Sequence, residues 1–117
     1  MSIDEVRAED LASYLLETKL PCTLVEFSGP DCSACRLVNR ILAELQPGFE
    51  GRVGFVQVEL DDGSDVGVRM KIRSVPTLVL FEGSREIRRA PGAPSRSAIQ
   101  SFIEGGIRAA PNQTKQT

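Results

Sequence analysis

Two cysteines separated by two residues, Cys32-Ser33-Ala34-Cys35, combine residue type and spacing in a way that suits covalent chemistry. They follow a short apolar run and a turn cluster, and they open a stretch with helical spacing. A helix start carries unpaired backbone N–H groups and the positive end of the helix dipole, so it stabilises an anion. The thiolate is the nucleophile in disulfide exchange, and a lowered pKa makes it reactive near neutral pH. Cys32 at that start is therefore the expected attacking thiol. Two intervening residues bring Cys35 round the first turn, where it can resolve a mixed disulfide on Cys32. The other reading of such a pair is half of a zinc or iron–sulfur site. Those sites usually take four ligands. The chain has no second CxxC, no His and one further thiol, Cys22, so redox chemistry is the reading preferred.

The elements that must position the pair follow from the hydrophobic pattern. Residues 4–18 read as a helix with Val6, Leu11, Tyr14, Leu15 and Thr18 near one face. Cys22 to Phe27 reads as a buried strand, and Ser28-Gly29-Pro30-Asp31 as a turn. Cys32 to Gln46 is helical, with Leu37, Val38, Ile41, Leu42 and Leu45 at helical spacing. Val53 to Leu60 is a second strand, Asp61 to Ser64 a turn, and Asp65 to Met70 a short helix. Thr77 to Phe81 turns through Glu82-Gly83-Ser84-Arg85 into a strand near Glu86 to Arg89. Ser95 can cap a last helix with Ala98, Ile99, Phe102 and Ile103 inward, ended by Gly105-Gly106. The order implies an α/β fold, with a right-handed parallel crossover and an antiparallel hairpin in one mixed sheet of four to five strands, helices on both faces. Residues 1–108 form one domain, and 109–117 a polar tail expected to be disordered.

Glu26 interrupts the first strand. If buried, its carboxyl is desolvated and its pKa rises; if edge-facing, it reaches solvent. Pro76, in Ser74-Val75-Pro76-Thr77, opens the third strand, where a missing N–H does no harm. Frequency alone favours a trans bond there. Cys22 is expected to pack in the core as a small hydrophobe. Asp31 reads first as a solvated turn residue and Arg36 as a solvated helix residue; beside Cys32, Asp31 would oppose the thiolate and Arg36 would act the other way. Arg85, Arg88 and Arg89, with Glu82 and Glu86, read as a solvated edge.

Composition excludes whole classes. The chain has 117 residues, 41% hydrophobic and 26% charged, enough for one core. Fourteen Lys and Arg against 16 Asp and Glu give a formal charge of −2, no field for nucleic acid. Short apolar runs exclude a transmembrane helix. The acidic start Met1-Ser2-Ile3-Asp4-Glu5 has no apolar leader, so a cytoplasmic location is expected. The absence of His excludes Ser-His-Asp and Cys-His catalysis and His-bearing metal sites. It also removes a cation that could sit between the cysteines, which argues against a strongly oxidising pair. Three cysteines make no structural disulfide framework.

In order along the chain, Val25-Glu26-Phe27, the CxxC, Val75-Pro76-Thr77 with the strand Leu78 to Phe81, and Gly92-Ala93 before the last helix resemble the thioredoxin family. The resemblance runs from about Leu11 to Ile107. CxxC alone is a weak motif; with a Pro-Thr strand about forty residues later it is a strong one. The resemblance implies the thioredoxin fold, a cis bond at Pro76 and a client that pairs with the backbone of Val75. It implies that Glu26 shuttles a proton to and from Cys35. Four features depart from thioredoxin proper. Asp31 replaces a Trp, Ser33-Ala34 replace Gly-Pro, Arg40 replaces a helix Pro, and Glu26 replaces an Asp.

The function implied is thiol-disulfide exchange with protein clients, by a monomer reset by a thioredoxin-reductase-like donor. No organic cofactor or metal is implied beyond the dithiol. The alternative is a thioredoxin-like binding module with an incidental dithiol. It would dock one partner through Val75, Pro76 and Gly92, with a partner set narrowed by Asp31.

Overall fold

A computed structural model describes residues 3–61 and 64–109. Its elements are β1 (Asp4–Glu5), a 3-10 turn (Ala8–Asp10), α1 (Leu11–Glu17), β2 (Cys22–Ser28), α2 (Ser33–Leu45), a 3-10 turn (Gln46–Phe49), β3 (Val53–Glu59), α3 (Asp65–Arg69), β4 (Thr77–Glu82), β5 (Arg85–Pro91) and α4 (Arg96–Ala109). The strands form one five-stranded sheet in the order β1-β3-β2-β4-β5. β1 and β2 both run parallel to β3, while β4 is antiparallel to β2 and to β5. The helix between β2 and β3 is the expected crossover, and the turn after β4 is the expected hairpin.

Side chains alternate across a strand, and that period sorts the core into two layers. Leu24, Phe55, Leu78 and Leu80 meet Val38 and Leu42 of α2 and Ile99 and Ile103 of α4. Val25, Phe27, Val56, Val58, Val79 and Phe81 meet Leu11 and Leu15 of α1 and Val66 of α3. β2 is buried along its whole length, as a central strand covered on both faces must be. Glu26 takes the same face as Leu24, toward α2 and α4.

Four sequence expectations are corrected. Residues 4 and 5 pair with Val56 and Gln57 as an edge strand, and the first helix starts only at Leu11. That pairing partner lies some fifty residues away, beyond the reach of local periodicity. Leu37 is exposed on α2 and Ala98 on α4, so neither joins the inward face. Gly105-Gly106 does not end the last helix, which runs through Ala109. A Cβ on Gly106 would stand 2.2 Å from Leu80 Cδ2, so this glycine lets α4 approach β4. Arg88 and Arg89 are half-buried rather than solvated. The Arg88 guanidinium lies 5.7 Å from the Phe102 ring centre. Arg89 binds Glu86 at 2.7 Å and donates to the Met70 carbonyl at 2.9 Å, which ties α3 to the edge strand. Residues 110–117 of the expected tail, and Asp62-Gly63 of the expected turn, lie outside the described residues.

Candidate active site

The dithiol sits at the end of β2, where the chain turns into α2. Asp31 takes the left-handed conformation at φ 54°, which a short polar side chain tolerates. Cys32 follows with extended backbone as the N-cap of α2. Its Sγ accepts a hydrogen bond from the Cys35 N–H at 3.1 Å, so one orphan donor of the helix start points at the sulfur. Cys32 and Cys35 form a disulfide with Cα atoms 5.2 Å apart. Cys32 is half-buried, whereas Cys35 is 3% exposed.

A second loop meets this turn. The Val75–Pro76 bond is cis, and Gly92 donates its N–H to the Pro76 carbonyl at 2.9 Å. Gly92 has φ 90°, a conformation that favours glycine. Thr77 Oγ1 donates to the Ser74 carbonyl at 2.7 Å, which closes the turn from the other side. Pro76 is buried, and Val75 is 38% exposed. A Cβ on Gly29 would lie 3.3 Å from Val75 Cγ2, so the segment leading to the dithiol and the Val75 loop pack together. The fold thus gathers Cys32, Cys35, Asp31, Val75, Pro76 and Gly92 at one end of the sheet.

Beside the disulfide lies a cleft of about 400 Å³, lined by Ser28, Asp31, Cys32, Cys35, Asn39 and Gln57 among others. Behind its wall is Glu26, 0% exposed. Asn39 Nδ2 donates to Glu26 Oε1 at 3.2 Å and to Gln57 Oε1 at 3.0 Å. Gln57 Nε2 in turn donates to Ser28 Oγ at 2.8 Å. Glu26 Oε2 has no hydrogen-bond partner among the described residues. Burial pushes the Glu26 carboxyl up to about 7 from an ordinary 4.5, and the Asn39 hydrogen bond acts in the opposite sense. Sequence reasoning missed Asn39, Gln57 and Ser28. Asn39 stands four residues beyond Cys35, hence on its helix face, and Gln57 is the polar break in an apolar strand; both signals were present.

Cys22 is buried in the core and unpaired, and burial pushes its thiol up. Among the described residues, no three His, Cys, Asp or Glu side chains gather as a metal site would require. Among the same residues, no helix is long and apolar enough to cross a membrane.

The Thioredoxin family model matches residues 3–105. The chain belongs to the thioredoxin family. It is 32% identical over 90 residues to the thioredoxin of Synechocystis sp., covering 77% of this chain and 83% of that protein. It is 30% identical to the thioredoxin of Haemophilus influenzae, with 84% and 91% covered. The crystal structure of Chlamydomonas reinhardtii thioredoxin f2 superimposes with a TM-score of 0.77 at 20% identity, covering 88% of this chain and 95% of that one. The fold is therefore the thioredoxin fold. Thioredoxins are thiol-disulfide oxidoreductases that act on disulfide-bearing clients through a cysteine pair, and this chain carries that pair intact as Cys32 and Cys35. A binding module with an incidental dithiol is not favoured.

Proposed function

We propose the following roles within that activity. Cys32 thiolate attacks a client disulfide, forms a mixed disulfide and releases one client thiolate. Glu26 carboxylate takes the proton of the Cys35 thiol as Cys35 sulfur attacks Cys32 Sγ. The Cys32–Cys35 disulfide closes, and the second client thiolate leaves. A thioredoxin-reductase-like donor supplies two electrons to reopen it. The observation that carries this assignment is the contrast between the two sulfurs. Cys32 is accessible and receives a helix-start N–H, while Cys35 is buried against it.

Val75, Pro76, Gly92 and Asp31 form the client-facing surface. Val75, 38% exposed on the loop that packs against Gly29, supports an extended client strand there. Asp31 adds a negative charge at the rim, so clients with basic residues beside their disulfide are preferred. The protein works as a monomer, without metal or organic cofactor, as one domain over residues 1–108. We place the protein in the cytoplasm.

Reduction of insulin disulfides in dithiothreitol tests the assignment. The wild-type chain accelerates it, and Cys32→Ser falls to the uncatalysed rate. An accelerating Cys32→Ser variant would overturn the assignment.

A further inference from the structure

We propose that Asn39 is a positioning residue that fixes Oε1 of Glu26 as the carbonyl oxygen and leaves the exchangeable proton on Oε2. The proposal rests on the reading that Glu26 relays a proton to Cys35. It is carried by the direction of a three-link hydrogen-bond chain.

An amide nitrogen donates and never accepts. Asn39 Nδ2 has two hydrogens, and two oxygens receive them: Glu26 Oε1 at 3.2 Å and Gln57 Oε1 at 3.0 Å. With its oxygen thus engaged, Gln57 turns its own Nε2 to Ser28 Oγ at 2.8 Å. Each link sets the orientation of the next. Glu26 Oε1 must therefore accept in both protonation states. A neutral carboxylic acid has one accepting carbonyl oxygen and one hydroxyl. With Oε1 accepting, the hydroxyl is Oε2, which is buried and has no partner among the described residues. An unmated buried oxygen is costly in a purely structural carboxyl, which points to a group that Oε2 meets only during the reaction.

Among the described residues, this acid makes no ion pair. In register, Glu26 faces Gln57 on β3 and Leu78 on β4. α2 contributes Cys35 and Asn39, and α4 gives this layer Ile99 and Ile103. The charged residues of the adjoining cleft are Asp31, Arg36 and Glu59. None of these hydrogen-bonds the carboxyl. Asn39 thus governs a carboxyl that burial raises to about 7, and it does so with a neutral donor. Its position four residues beyond Cys35 puts donor and thiol on one face of α2.

The test is a carbon-13 NMR titration of the Glu26 carboxyl in the disulfide form, where Cys35 carries no proton. Asn39→Leu removes a donor to the ionised form, so the midpoint moves up by about one pH unit. The rising limb of the insulin-reduction rate moves up with it. Should Asn39→Leu fail to fold, Gln57→Met leaves α2 intact and loosens Asn39, giving a smaller shift in the same direction. Arg40→Ala, exposed on α2, leaves both midpoints in place. An unchanged or lowered Glu26 midpoint overturns the proposal, since a reversed chain of amides would stabilise the neutral acid instead. If Glu26→Gln retains the rising limb, the relay reading fails, while the titration still decides the role of Asn39.

Discussion

Asn39, one helical turn beyond Cys35, donates its amide to the carboxyl of Glu26 at 3.2 Å. This bond ties the helix that carries Cys35 to an acid enclosed in the central strand. Three properties meet in Glu26: full burial, an oxygen without a partner among the described residues and a carboxyl raised to about 7.

Those properties make stability depend on pH in a definite direction. Below about pH 4.5 the carboxyl is neutral in both the folded and unfolded chain and costs nothing. Between 4.5 and about 7 the unfolded chain releases the proton while the folded chain holds it, so stability falls as pH rises. Above that window the full cost, about 3 kcal/mol, is present. Glu26→Gln removes the charge and keeps the shape. Its stability relative to wild type should be greater at pH 8 than at pH 5 by about 2 kcal/mol. Denaturant melts of the disulfide forms at the two pH values measure this. Equal differences would mean that the carboxyl is solvated.

The three cysteines should differ in reactivity. In the reduced protein Cys32 is the accessible thiol at a helix start, while Cys35 and Cys22 are 3% and 4% exposed. Iodoacetamide should label Cys32 faster than either by at least about tenfold. Mass spectrometry of timed digests reads the order, and equal rates would contradict the site geometry.

The adjacent glycines of α4 should respond oppositely to alanine. In a helix interior Gly→Ala gains about 1 kcal/mol. At Gly105 the new methyl meets the tip of the flexible Arg88, so that gain should survive in part. At Gly106 it would fall 2.2 Å from the Cδ2 of Leu80, which is fully buried. Overpacking of this kind costs about 1–3 kcal/mol, so against the helix gain Gly106→Ala should lose up to about 2 kcal/mol on balance. Thermal melts of the two variants should separate in sign. A stabilised Gly106→Ala would mean that α4 does not press on β4.

The contrast between those glycines also marks what the sequence could reveal. Periodicity and turn residues located β2, α2, β3, α3 and the β4–β5 hairpin because each carries its own local pattern. Glu26 stood out because a charge inside an apolar run has few explanations. Asp4–Glu5 was read as helix because its strand pairing is supplied by the backbone of β3, which no local pattern reports. Gly106 was read as a stop because its reason is a contact with Leu80 across the fold. Arg89 reads as solvated in sequence because the carbonyls it caps, Met70 and Lys71, lie at the far end of α3, well away along the chain. Asn39 and Gln57 were legible one at a time as polar residues on inward faces. Their junction at Glu26 depends on the register of β2 with β3.

The division of labour between the two sulfurs is tested most directly by trapping. Cys35→Ser removes the resolving thiol, so a disulfide-bonded peptide offered to the reduced variant should remain attached to Cys32 as a stable mixed disulfide. Non-reducing mass spectrometry should find that adduct on Cys35→Ser and not on Cys32→Ser, and dithiothreitol should release it. Adducts in equal amount on both variants would contradict the assignment of Cys32 as the attacking thiol and Cys35 as the resolving one.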